Sequence, residues 1–116
     1  MKIYIAGPMR GIPEFNYPAF HAAAKSLREQ GHFVFSPAER DIERDGKDWS
    51  KVSATGDLAE AVQSGFSLRQ ALGDDIAWIC STADAVALLP GWENSKGANA
   101  EKATAEALGL EVIYLG

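Results

Sequence analysis

The sequence predicts an α/β domain, a three-layer αβα sandwich on a flavodoxin- or Rossmann-like open parallel sheet of four to five strands. Two observations predict it. Short runs at Ile3 to Ala6, His32 to Phe35, Ala85 to Leu89 and Glu111 to Leu115 have the length and apolar character of strands. Between them lie longer segments whose apolar residues recur at helical spacing, the alternation that builds βαβ units. A chain of 116 residues suits one domain, residues 1–116, large enough to bury a core without disulfides or a structural metal.

Each element has its own signal. The first strand, Ile3 to Ala6, is stopped by Gly7-Pro8. A helix over Pro18 to Gln30 follows from Pro18 at its first turn, from Phe20, Ala23, Ala24 and Leu27 on one face, and from Gly31 just beyond its end. The second strand runs from His32 to Phe35 and halts at Ser36-Pro37. Residues Ala38 to Gly56 are dense in charge and read as a polar excursion with little core, a lid or a solvated insertion. A short helix is expected over Asp57 to Gln63. A longer one spans Ser67 to Cys80, with Leu68, Ala71, Leu72, Asp75, Ile76 and Ile79 near one face and Gly73 weakening its middle. Ala85 to Leu89 is apolar throughout, as in a strand buried on both faces. A loop from Pro90 to Gly97 leads to a helix over Ala98 to Leu108, with Ala100, Ala103, Ala107 and Leu108 as its packing residues. Gly109 ends that helix before the last strand, Glu111 to Leu115.

Composition removes several classes of function. A net charge of −5 argues against binding nucleic acid polymers, which select a basic surface. It leaves room for one phosphate, because a few backbone N–H groups suffice to bind it. No apolar stretch approaches the length of a membrane span, and the first apolar run is too short for a signal sequence, so a cytoplasmic location is expected. The single cysteine, Cys80, lies in an apolar run and reads as a buried, inert thiol. His21 and His32 lack the spacing of metal ligands, no nucleophile elbow is visible, and no cofactor is called for.

In open parallel sheets, ligands bind outside the carboxyl ends of the strands. Two loops therefore matter most. Gly7-Pro8-Met9-Arg10-Gly11 offers glycines for close backbone approach and an arginine for phosphate, although a plain tight turn has the same residues. It is neither a P-loop nor a dinucleotide fingerprint. Ser95-Lys96-Gly97-Ala98-Asn99-Ala100-Glu101 brings a hydroxyl, a flexible backbone and a helix N-terminus together. Glu101 is expected in the first helical turn, where the dipole favours its ionised form; as a partly buried carboxylate it suits a nucleophile, and as a surface one merely a helix stabiliser. Asp75 sits on an apolar face and is expected to point inward, while Asp74 is solvated and Asp84 is a turn residue at the wrong end of its strand. Tyr4, Tyr17, Trp49 and Trp92 are available to stack on a base or to pack the core.

With these residues in view, the chain resembles the nucleoside 2-deoxyribosyltransferase-like superfamily. It is most similar to small phage and bacterial domains opening with the string that runs here from Tyr4 to Gly11, and to 2′-deoxynucleoside 5′-monophosphate N-glycosidases. The resemblance extends through Ser36-Pro37-Ala38-Glu39, the Asp75 helix and the final strand–loop–helix–strand, and is thinnest over the polar middle. It implies that Glu101, closing a Gly-x-x-x-Glu stretch from Gly97, is the nucleophile. It also implies that Asp75 assists at the base and sugar, although the spacing from Asp75 to Asp84 is one residue longer than in the relatives. Transferases acting on free nucleosides carry aspartate six residues before the nucleophile; Ser95 stands there, as serine does in the glycosidases, where it serves the 5′-phosphate. A hydroxyl donates to phosphate and a carboxylate repels it. The implied reaction is hydrolysis of the N-glycosidic bond of a deoxynucleotide, with Ser95, Gly97, Gly7, Arg10, Gly11 and Tyr17 as substrate contacts. Deoxyribosyl transfer at the same site and non-catalytic nucleotide sensing are the alternatives. Relatives assemble as homodimers or larger homo-oligomers, and in the glycosidases a neighbouring subunit adds a phosphate contact.

Overall fold

The computed structural model describes residues 1–116 and contains four strands in one all-parallel sheet. The elements are β1 (Lys2–Ala6), α1 (Tyr17–Glu29), β2 (Phe33–Phe35), α2 (Pro37–Asp45), α3 (Leu58–Gln63), α4 (Leu68–Ser81), β3 (Ala85–Leu88), α5 (Lys96–Ala107) and β4 (Glu111–Tyr114). Short 3₁₀ turns cover Pro13–Asn16, Trp49–Lys51 and Trp92–Asn94. The sheet order is β2-β1-β3-β4. The chain steps outward from β1 to β2 and then crosses back to β3 on the other side of β1. A topological switch point therefore lies between β1 and β3.

Strand periodicity builds the layers. Ile3, Ile5, Ala85 and Ala87 face Phe20, Ala24 and Leu27 of α1, and Ala38 of α2 and Ala61 of α3 join that cluster. Tyr4, Ala6, Val86 and Leu88 face the other way, onto Ile79 of α4 and Ala98 and Ala105 of α5. Both central strands are buried on both faces, the three-layer arrangement expected of continuous apolar runs. No helix is long and apolar enough to cross a membrane.

Three expectations need correction. The polar stretch from Ala38 to Gly56 is largely structured. Its charges at Glu39, Arg40 and Glu43 occupy the outer side of α2, while Pro37, Ala38 and Asp41 are buried. Trp49, 3% exposed, packs edge-on against Phe66 at 5.2 Å and donates from Nε1 to Asp45 Oδ2 at 3.0 Å. Composition hid this, because one amphipathic turn and one tryptophan supply the core of an otherwise charged segment. Trp49→Ala is expected to cost about 3–5 kcal/mol in chemical denaturation, through loss of a buried aromatic and the cavity it leaves. Cys80 is exposed rather than buried, one position past the inward-facing Ile79. On α5 the exposed alanines Ala100, Ala103 and Ala107 and the 48%-exposed Leu108 are not the packing residues; the buried stripe is Ala98, Glu101 and Ala105. The inward face of α5 thus carries a carboxylate, which apolar periodicity alone passes over.

Candidate active site

A cleft of about 320 Å³ opens at the C-terminal ends of β1 and β3. The sequence brings its walls there by separate devices. Gly7 follows β1 so closely against β3 that an added Cβ would meet Leu89 Cβ at 2.8 Å. The next residues are fixed by an unusual turn. Glu14, Phe15 and Asn16 all adopt left-handed conformations, with φ of 58°, 52° and 61°. Non-glycine residues resist this conformation by roughly 1–2 kcal/mol each. Burial of Phe15 offsets part of that cost, and Asn16 Nδ2 donates to the Pro8 carbonyl at 2.9 Å. Gly11 N donates to Gly56 O at 2.8 Å, and at Gly56 any Cβ would collide with the Ile12 carbonyl, so the second loop crosses the first there.

The opposite wall is the start of α5. Ser95 caps it, its Oγ accepting from Ala98 N at 3.1 Å. Asn99 Nδ2 donates to the carbonyls of Trp92, Glu93 and Ser95 at 3.3, 3.1 and 2.8 Å, which fixes the loop beneath the cap. Beyond the Ala98 amide that Ser95 caps, the first amides of α5 point out of the helix beside Lys96 and Arg10, which also line the cleft. At Gly97 an added Cβ would meet only Ser95 Oγ, at 4.0 Å. The protein has room for a side chain there, and glycine costs about 1 kcal/mol within a helix.

The floor is acidic. Glu101 and Asp75 are 6% and 7% exposed and both line the cleft. Tyr4, fully buried in β1 and stacked on Phe35 at 5.4 Å, donates its hydroxyl to Glu101 Oε2 at 2.8 Å. Burial, and then the charge of Asp75, push the Glu101 carboxyl well above the usual range, against the pull of the Tyr4 hydrogen bond. Burial also pushes Asp75 up to about 7, with the charge of Asp41 adding to it. Asp75 Oδ1 is buried without a hydrogen-bond partner. The dipole's preference for an ionised Glu101 is therefore opposed by burial and by Asp75. α5 begins at Lys96 rather than Ala98, so Glu101 falls in the second turn, where desolvation beside a second acid outweighs the dipole.

A third acid, Asp41, lines the same cleft at 4% exposure. Burial pushes it up to about 6, and Arg44 opposes the shift. Arg44 Nη1 lies 3.1 Å from Asp41 Oδ1 but directs its hydrogen bond to Asp74 Oδ2 at 3.2 Å, so Asp41 Oδ1 has an ion-pair neighbour and no hydrogen bond.

Of the residues singled out in the sequence, Glu101, Asp75, Gly7, Arg10, Ser95 and Gly97 line this cleft together. Gly11 does not; it lies on the far side of its loop, bonded to Gly56. Tyr17 is also outside the main cleft, 2% exposed in the core, and borders a smaller slot beside it. Trp92 stands apart from the cleft, against Tyr114 at 5.9 Å. Asp84 accepts from the Lys2 amide at 2.8 Å, near the start of β1 and away from the site. Sequence reasoning gave one site group another role and passed over a second. Tyr4 was legible from strand alternation, which puts it on the same face as Ala6 and α5. Asp41 was masked by the charged segment around it.

A parallel sheet with helices on both faces and a cleft at its switch point defines a Rossmann-like three-layer α/β protein. A family model described as a domain of unknown function, DUF4406, matches residues 1–114, and the chain belongs to that family. No curated protein matches the sequence.

Proposed function

We propose that the protein hydrolyses the N-glycosidic bond of 2′-deoxynucleoside 5′-monophosphates, with Glu101 as nucleophile. The observation that carries this reading is the division of one cleft into an acidic floor and a rim of cationic, hydroxyl and helix N-terminal groups suited to phosphate. Glu101, Asp75 and Tyr4 form the floor; Ser95, the α5 N-terminus, Lys96 and Arg10 form the rim. A glycosyl phosphate ester presents the matching pattern, an anion at C5′ and a carbon at C1′ that becomes cationic as its bond to nitrogen breaks.

Tyr4 occupies Glu101 Oε2, leaving Oε1 to attack C1′. The C1′–N bond breaks with its electron pair passing to the base, and Asp75, whose burial favours the protonated form, gives the base a proton. The result is a glycosyl ester on Glu101. Water then attacks C1′ and gives its proton to Asp75, Glu101 leaves as carboxylate, and 2-deoxyribose 5-phosphate is released. The open side of Gly97 is the space that lets the phosphate approach the helix amides. The resemblance to the glycosidases, Ser95 above all, supports the same substrate. The reading needs no cofactor, and the acidic surface as a whole suits a small ligand more than a polymer.

The test is release of free base from a panel of deoxynucleoside monophosphates and matching nucleosides, followed by chromatography. Release from monophosphates is the expected result. Binding without release from any of them would overturn hydrolysis and favour a nucleotide-sensing module. Transfer to an added second base in place of water would make the protein a transferase.

Ser95→Asp tests the rim. Aspartate caps helices as well as serine does, so folding is preserved. A carboxylate against a phosphate costs several kcal/mol, so kcat/KM for monophosphates should fall roughly a hundredfold or more relative to nucleosides. An unchanged ratio in side-by-side assays would place the phosphate elsewhere.

A further inference from the structure

A slot of about 80 Å³ opens off the cleft across a wall shared by Met9, Arg10, Asp41, Phe66 and Leu68. Beyond that wall it is lined mostly by apolar groups, among them Phe15, Trp49 and Leu58. Its polar groups are few. Arg10 stands at the exposed mouth, Asp41 belongs to both cavities, and Tyr17 lies within. Asp41 Oδ1 is buried and accepts no hydrogen bond. Tyr17 and Asp41 both line this mostly apolar slot. A buried carboxylate whose one partner is the Arg44 guanidinium keeps acceptor capacity for a ligand in the slot.

We infer that this slot is the base subsite, and that Asp41 and Tyr17 select bases carrying an exocyclic amino group next to a ring nitrogen. This rests on the glycosidase reading of the cleft. The amidine edge of cytosine or adenine offers an N–H₂ donor and an adjacent acceptor nitrogen. Asp41 accepts from the amino group, and the Tyr17 hydroxyl donates to the ring nitrogen. A keto base reverses the pattern. Its carbonyl oxygen meets the Asp41 carboxylate, and the lactam N–H of uracil is flanked by such oxygens on both sides. Arg44 Nη1, 3.1 Å from Asp41 Oδ1, keeps the carboxylate in place. The aromatic residues around the pair take the flat faces of the ring.

The test compares deoxycytidine with deoxyuridine monophosphate, and deoxyadenosine with deoxyinosine monophosphate, pairs that differ only in amino against keto. In wild type, kcat/KM should favour the amino member of each pair by roughly a hundredfold or more, since a site built around a polar contact rejects the analogue lacking it. Asp41→Asn, which offers both a donor and an acceptor, should bring each ratio to within about tenfold. Tyr17→Phe keeps the ring in the core and should weaken binding of amino substrates, which preserves the test if Asp41→Asn folds poorly. The same pairs are titrated by calorimetry against the Glu101→Gln protein, so that base preference is read without turnover. Amino-selective binding with no release by wild type overturns the hydrolase and retains the subsite. Release with equal rates for amino and keto bases, or ratios unmoved in both Asp41→Asn and Tyr17→Phe, overturns the subsite and retains the hydrolase.

Discussion

Glu101→Ala is expected to lower base release from deoxynucleoside monophosphates by a thousandfold or more, while nucleotide affinity stays within roughly tenfold of wild type. The split follows from what a nucleophile does. Its bond to C1′ exists only in the transition state and the covalent intermediate, so its removal spares ground-state binding. The phosphate contacts proposed above lie on the other wall of the cleft, at Ser95 and the start of α5, and do not pass through Glu101. Truncation has one structural consequence. It strands the Tyr4 hydroxyl, fully buried, without its acceptor, at about 1–3 kcal/mol. Glu101→Gln keeps an acceptor for Tyr4 and should fold as wild type does, with the same loss of turnover. Release that survives in both variants would remove Glu101 from the chemistry. A wild type that binds without releasing base, with affinity collapsing in the variants, would make Glu101 a ribose ligand in a sensor.

How much of this was readable beforehand depended on the scale of the signal. β1 and β3 announce themselves, because a strand buried on both faces has no polar residue to interrupt it. The cleft followed from topology, and Glu101 and Asp75 met there as expected. What escaped was any feature set by a single residue against a background of the opposite character. Trp49 and Asp41 lie in a charged stretch, yet one anchors the core and the other borders the cleft. The packing face of α5 was misjudged for the complementary reason. Its exposed alanines look apolar, while its buried stripe contains a glutamate. The left-handed turn at Glu14 to Asn16 has no sequence signal, since its conformation is imposed by Phe15 burial and the Asn16–Pro8 contact. Ionisation was the other blind spot. Helix position alone argued for a charged Glu101, and only the assembled cleft shows how far desolvation and a neighbouring acid oppose it.

Asp75→Asn should change both the pH profile of catalysis and the pH dependence of stability. Glu101 and Asp75 are buried in one cleft and the charge of Asp75 disfavours that of Glu101, so the two titrate as a pair. Catalysis draws on the arrangement of the singly protonated pair in which Asp75 holds the proton and Glu101 is ionised. Activity should therefore fall on the acid side as the pair gains a second proton, and on the alkaline side as it loses its last. The variant has no acid to lose, so its lower rate should lack the alkaline limb. The stability effect has a definite sign. The Asp75 pKa is raised from 3.8 in the unfolded chain to about 7, so its contribution to stability is fully present below pH 3.8 and is lost as pH rises through about 7. Asp41, raised to about 6, acts in the same direction over a lower range. Glu39 and Asp45, whose pKa values are lowered by Arg28 and Arg44, act oppositely and lose their contribution in acid. Wild-type Tm should therefore peak near pH 5 and decline toward pH 8. Asparagine has no charge to desolvate. Its gain over wild type should grow from pH 5 to pH 8, toward a ceiling of about 4 kcal/mol set by the size of the shift. Thermal melts of both proteins across that range decide the matter. Parallel curves would mean that Asp75 is solvated and ionised throughout, and it could not then serve as the acid that protonates the leaving base.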